Sequence, residues 1–303
     1  MKILDYIFAT RPLLHLPLWS VYLVSLHYHQ EPSGEHFNLN NLFMLCALSL
    51  MGAAAYYINQ IYDFDSDKLN KKLGFLQKGM LSVKELKIAY IVLSLLSLCV
   101  SLWFSWAMLV VFLQLFILGY FYSVPPMRLK DRPISGFLAN SYGYGFLVPL
   151  TVMPEINISR LGSYDWIISF YFFLTIGAIY ILTTLPDRRG DEATGKRTLG
   201  VVLPRISTLL LAFLLMALSV YVAFYAHFHL LMYLSLLTAL LILLSIFINS
   251  PSFDLLIIKL PILLLTILAG YFYWGYMVFI IALLIANRIY YRKRLGIVYP
   301  KLM

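Results

Sequence analysis

Asn59, Asp63 and Asp67 carry oxygen side chains at intervals of four, so a helix would stack them along one face. Asp187 and Asp191 repeat that step. Six of the fourteen acidic residues fall in these two windows: Asp63, Asp65, Asp67 and Asp187, Asp191, Glu192. Asp65 points to the opposite side of its helix and is the weaker candidate. Carboxylates one turn apart repel unless positive charge lies between them. Hard oxygen donors without histidine or cysteine suit Mg²⁺, which is typically held by one or two carboxylates together with substrate phosphates. Two facing clusters would hold a pair of Mg²⁺ ions around a diphosphate. Lys130, Arg128, Lys196 and Arg197 would complete the cradle, Arg128 in bidentate form, with Tyr122 assisting through its hydroxyl. The plainer alternative is that these acids are solvated helix ends, salt-bridged to the lysines beside them.

The elements that must position these groups are membrane helices. Of 303 residues 61% are hydrophobic and only 12% charged, against about 25% charged in soluble domains. The mean hydropathy is +0.82. Apolar windows of spanning length recur at 13–29, 40–62, 87–105, 107–123, 136–153, 164–185, 206–226 and 229–248, followed by a long stretch from 255 to 291. The runs are continuous rather than alternating, which excludes a β-barrel. The expected fold is therefore all-α, one integral-membrane domain over residues 1–303. The first apolar stretch follows Arg11-Pro12 without a small-residue cleavage site, so no cleavable signal peptide is expected.

Charge distribution orients the bundle. The net charge of +9 is read as basic loops rather than as a nucleic-acid surface. Lysines and arginines crowd the connections after the second, fourth and sixth spans and are nearly absent from the others. The positive-inside rule places those loops, both acidic clusters and the amino terminus in the cytoplasm. The basic tail Arg292-Lys293-Arg294 prefers the same side, which needs an even number of spans, hence ten; nine spans with part of 255–270 at the interface is the competing count. The recurrence of the aspartates four spans apart suggests two similar four-helix halves. Cys46 and Cys99 give neither disulfide nor metal spacing, and the outer-side histidines read as solvated.

The segment "YSVPPMRLK" (122–130) ends the fourth span with a proline turn followed by cations. Together with Asn59-x3-Asp63-x3-Asp67 and "LPDRRGDEATGKRTL" (185–199), it resembles the UbiA superfamily of intramembrane prenyltransferases. "RPLLHLP" (11–17) resembles that family's opening arginine-proline stretch. The resemblance implies about nine helices around a central cavity open to lipid. It implies Mg²⁺ held by Asn59, Asp63, Asp67, Asp187 and Asp191, with Arg11 and the cations above on the substrate. The donor would be a polyprenyl diphosphate, the acceptor an aromatic compound or a lipid, and the setting the inner membrane of the cell. Two departures stand out. Gln60 replaces an aspartate found in many members, and "KKLGFLQKG" (71–79) lacks the usual arginine and prolines, leaving Lys72 or Lys78 to substitute. Rival readings are a secondary transporter using the acids as a cation site, and a phosphatidyl-group transferase. The former would want inverted repeats with midplane acids, the latter a glycine and arginine after the first acids.

Overall fold

The computed structural model describes residues 2–30, 36–69, 74–153 and 163–300. Every regular element among them is helical. The chain opens with a short helix α1 (Lys2–Ala9), which a break at Thr10–Arg11 and a 3₁₀ turn (Pro12–His15) separate from α2 (Leu16–Gln30). Pro12 explains the break, since it donates no hydrogen bond and restricts the residue before it. Next come α3 (Leu39–Tyr62) and α4 (Phe64–Leu69), then α5 (Val83–Phe104) and α6 (Trp106–Ser123). Capping boxes fix the starts of α3, through Asn38 and Asn41, and of α5, through Ser82 and Glu85. Ser105 closes α5 and caps α6 with its side chain, so one extended residue reverses the chain.

The fifth apolar window is not a plain helix. It consists of α7 (Pro133–Asn140), a π-helical segment (Ser141–Leu147) and a last turn, α8 (Val148–Leu150). After it runs α9 (Ser163–Ala193), whose 31 residues measure about 46 Å at the helical rise. That exceeds the roughly 30 Å of bilayer hydrocarbon, so the end of α9 carrying Asp187 and Asp191 extends past the membrane core. A short turn α10 (Leu199–Val202) leads to α11 (Arg205–Tyr225), α12 (His229–Ile248), α13 (Pro251–Phe272) and α14 (Trp274–Leu295).

Among the described residues nine helices are long and apolar enough to cross a membrane, counting Lys2–Gln30 as one. The chain is thus an integral-membrane helical bundle. The ambiguous stretch 255–291 resolves into α13 and α14, parted at Tyr273. Arg294 at the end of α14 pairs with Asp5 of α1 at 2.8 Å, so the first and last helices meet at one end of the bundle. The basic tail therefore lies beside the amino-terminal helix, as its charge suggests.

The helices pack in two groups. In the first, α3 lies against α5 and α6; in the second, α9 lies against α11 and the π-helical segment, with α12 and α13 completing the group. A bidentate pair from Arg205 to Asp254 (2.6 and 3.0 Å), closed by Ser245, ties α11, α12 and α13 together at the basic end. Gly145 sets the approach of the π-helical segment to α9. A Cβ there would sit 2.5 Å from the Phe172 carbonyl oxygen and 2.6 Å from Phe173 Cα, both backbone atoms that cannot swing away. At Gly143 the nearest atom would be Leu118 Cδ1, an ordinary 3.8 Å contact. Gly145→Ala is therefore expected to cost about 1–3 kcal/mol, and Gly143→Ala almost nothing. Melting curves of the two variants in detergent check the contrast, and equal melting temperatures would refute the packing assignment.

Candidate functional site

The first acidic cluster is built where α3 ends. Asp63 caps α3, its amide donating to the Asn59 carbonyl (2.9 Å), and the Asp67 amide donates to the Asp63 carbonyl (2.7 Å). The spacing of four thus becomes one continuous hydrogen-bonded path, and the three residues share a face. With its amide oriented to satisfy both ends, Asn59 Nδ2 donates to Asp63 Oδ2 (3.0 Å). Asn59 Oδ1 then accepts from Ser123 Oγ and from Lys130 Nζ, both at 3.1 Å. Lys130 Nζ also stands 2.7 Å from Asp63 Oδ1, and Arg128 Nη2 reaches the same oxygen at 4.0 Å. Asp67, only 4% exposed, is held by Arg11 Nη2 at 2.8 Å.

Both arginines occupy unusual backbone. Arg11 has φ 55° and Arg128 φ 38°, in the left-handed region that residues with a Cβ avoid at a cost of about 1–2 kcal/mol. Such strain persists only where surrounding contacts over-determine it. For Arg128 these include Asp131 Oδ2, 2.7 Å from its Nε. Asp131 had no signal in the sequence, because it binds through a turn rather than a repeat.

The second cluster stands opposite. Asp191 on α9 accepts from Thr198 Oγ1 (3.0 Å) and lies 3.9 Å from Lys196 Nζ. The Arg197 amide donates to the Asp131 carbonyl (2.9 Å), which stitches the loop after α9 to the loop after α6. Lys130 links the two sides, lying close enough to Asp63, Asp131 and Lys196 to feel all three charges. Burial pushes its ammonium below the ordinary lysine range, and the Asp63 carboxylate works against that shift.

Beneath this polar end lies a cavity of about 480 Å³, enclosed by α2, α3, α6, the rod 133–150, α9 and α11–α13. Arg11, Asn59 and Tyr122 line its polar mouth, while Leu48, Leu234 and Leu265 line its apolar interior. Four tyrosines, Tyr56, Tyr122, Tyr144 and Tyr180, also line the cavity. Tyr56 Oη donates to the Leu14 carbonyl at 3.0 Å, and Asn140 Nδ2 donates to the Tyr122 hydroxyl at 3.2 Å. Tyr56 and Tyr180 were missed in the sequence, where 23 tyrosines in an apolar chain conceal the few that face a cavity.

The structure therefore brings together Asn59, Asp63, Asp67, Arg11, Arg128, Lys130, Asp191 and Lys196, with Tyr122 below them. Asp187, one turn before Asp191, is exposed, as are Arg197 and Asp65. Lys78 donates to the Leu295 carbonyl (3.2 Å), which ties its loop to α14; Lys72 lies outside the described residues. On the opposite end of the bundle His29 pairs with Asp165 at 2.9 Å.

Among the described residues no three histidines, cysteines or acids converge into a ready-made metal cage. The donors that do line the polar end are all oxygens, and Asp63, Asp67 and Asp191 are matched by cations. That set fits Mg²⁺, which usually takes only one or two carboxylates from protein and completes its shell with water and phosphate oxygens.

Comparison with known proteins follows this geometry. The description "UbiA prenyltransferase family" matches residues 18–255. A structure of a UbiA homologue from Archaeoglobus fulgidus bound to GPP and Mg²⁺ superposes with a TM-score of 0.69 at 22% identity, covering 90% of this chain and 99% of that one. Among curated relatives, a homogentisate phytyltransferase of Synechocystis is 27% identical over 61% of this chain and 62% of its own length. A digeranylgeranylglyceryl phosphate synthase of Saccharolobus solfataricus is 28% identical over 64% of this chain and 67% of its own. A probable homogentisate phytyltransferase 2 of rice is 33% identical, but over only 48% of this chain and 40% of its own length. The chain thus spans between two-fifths and two-thirds of the length of these curated relatives. With the match to the family extending over most of the bundle, the chain belongs to the UbiA prenyltransferase family.

Proposed function

We propose that this protein transfers a polyprenyl group from an allylic polyprenyl diphosphate to an aromatic or lipid acceptor within the membrane, releasing diphosphate. One observation carries the reading: the apolar cavity opens at its polar mouth onto Arg11 and Asn59, the residues that hold Asp67 and Asp63. The cavity suits an isoprenoid chain and the charged end suits a diphosphate. The names of the relatives fit the same reaction with either acceptor class. The weight of lysine and arginine at this end favours a cytoplasm-facing site, in a cell's inner membrane.

Asn59, Asp63, Asp67, Asp187 and Asp191 would hold Mg²⁺, which when bound supplies positive charge to the leaving diphosphate. The chain's own cations do the same from the other side. Lys130, Arg128, Arg11 and Lys196 contact phosphate oxygens, with Arg197 at the rim, so that charge developing on the leaving group meets fixed counter-charge in a partly buried setting. Cleavage of the allylic C–O bond sends its electron pair to the diphosphate. The remaining allylic cation lies among Tyr56, Tyr122, Tyr144 and Tyr180, whose ring faces stabilise it and whose packing excludes water. An acceptor carbon or oxygen then forms the new bond and loses a proton. Before substrate arrives, acids and cations neutralise one another, so the site needs no large rearrangement to exchange partners.

Asp63→Ala, Asp191→Ala and Lys130→Met are each expected to reduce transfer by about 10²–10³-fold, the usual cost of removing one preorganised charge partner. Product mass spectrometry with labelled geranylgeranyl diphosphate and a panel of phenolic and glycerol-phosphate acceptors reads this loss. Full activity in the aspartate variants would end the assigned role. In the same assay EDTA is expected to stop turnover and added Mg²⁺ to restore it. No product with any acceptor from the unmodified chain would count against the transferase itself.

A further inference from the structure

Arg11 lines the polar mouth from the break between α1 and α2, and its backbone is strained. Something must hold it, and the contacts around α1 show what does. The carbonyls at the end of a helix lack intrahelical partners. Here, three of α1's carbonyls each accept a side chain from another helix. Tyr57 Oη donates to the Tyr6 carbonyl (2.7 Å) and Gln60 Nε2 to the Ala9 carbonyl (2.6 Å), both from α3. Tyr291 Oη, from α14, donates to the Phe8 carbonyl (2.7 Å). Further along, Arg294 grips Asp5 with two bonds (3.0 and 2.8 Å), and Tyr290 both donates to Asp5 and stacks on Phe8. Asp5 is 1% exposed and Tyr291 fully buried.

These contacts account for a residue that the sequence singled out and the site does not use. Gln60 is buried, away from any metal or phosphate role, and donates to Ala9 two residues before Arg11. An ionised aspartate at this position has no hydrogen to donate, so glutamine belongs to the latch.

We propose that α14, acting with Gln60, is a clamp that positions Arg11 against Asp67, so that the diphosphate end of the site is completed by the last helix of the chain. Tyr291, Arg294, Asp5 and Gln60 are positioning residues: none lines the cavity, and each acts through α1. Both α1 and α14 lie outside residues 18–255, whereas Gln60 lies within them. Its kinetic consequence rests on the transferase reading; its structural consequence does not.

The test uses the full chain in nanodiscs with Tyr291→Phe, Arg294→Gln and the exchanged pair Asp5→Arg/Arg294→Asp. Three quantities are read: hydrogen exchange of the amides of residues 8–14, melting temperature, and separate KM values for geranylgeranyl diphosphate and acceptor. Tyr291→Phe and Arg294→Gln are expected to accelerate exchange at 8–14 and to raise the diphosphate KM about ten-fold. Acceptor KM and kcat stay near the wild-type values, and the exchanged pair returns both changed readouts toward wild type. Unchanged exchange at 8–14 in Tyr291→Phe overturns the clamp, as does a uniform loss of kcat and both KM values. Tyr291→Phe removes one hydroxyl only, so it remains decisive if Arg294→Gln fails to fold. If the wild-type chain forms no prenylated product, the transferase reading fails while the exchange data still decide the clamp.

Discussion

Pairing of acid with base at one end of the bundle is the constraint on which the rest of the structure depends. A carboxylate near the membrane boundary is costly unless a cation accompanies it. Asp63 and Asp67 at the site, and Asp5 and Asp254 beside it, each meet a lysine or arginine from a distant segment. Because partners come from distant parts of the chain, the pairs also act as fasteners. They join the end of α3 to the loop after α6, α4 to the amino-terminal arm, α1 to α14, and α11 to α13.

Apolar packing alone would leave the bundle free to slide, since lipid is as apolar as leucine. Position is fixed instead by polar contacts and by close approaches. Gly145 lets the π-helical segment rest on α9 at backbone distance. The same segment turns Tyr144 toward the cavity, which Tyr56 also lines. π-helical turns inside helices occur frequently at functional sites, and here the turn faces the seat proposed for the allylic group. Departures from regular helix at Arg11 and within 141–147 therefore meet at one cavity.

The site that results is electrostatically balanced before any substrate arrives. Diphosphate with its metal ions brings both signs of charge, so arrival exchanges partners instead of adding net charge to a region of low dielectric. Specificity for the acceptor then falls to the tyrosines that line the cavity. The last helix enters this account through Arg11, which connects the outer wall of the bundle to its charged mouth.

Much of this was legible in the sequence, and for definite reasons. Helix periodicity fixes which of Asn59, Asp63, Asp65 and Asp67 share a face, and hydrophobic run length fixes the spans, because both are local properties of the backbone. Charge counting also put the tail at the same end as the amino terminus, where Arg294 meets Asp5, since that preference is additive along the chain. What stayed hidden depends on turn geometry and on contacts between distant segments: Asp131 under Arg128 and Thr198 on Asp191 across turns, and Gln60 on Ala9 between helices. No spacing encodes these, because their distances are set only when the turns close and the helices meet. The sequence by itself determined the helices and the faces that carry charge. Tertiary structure alone decided which cation stands against which acid, because the low-dielectric cost of an unpaired charge is felt only in the assembled bundle.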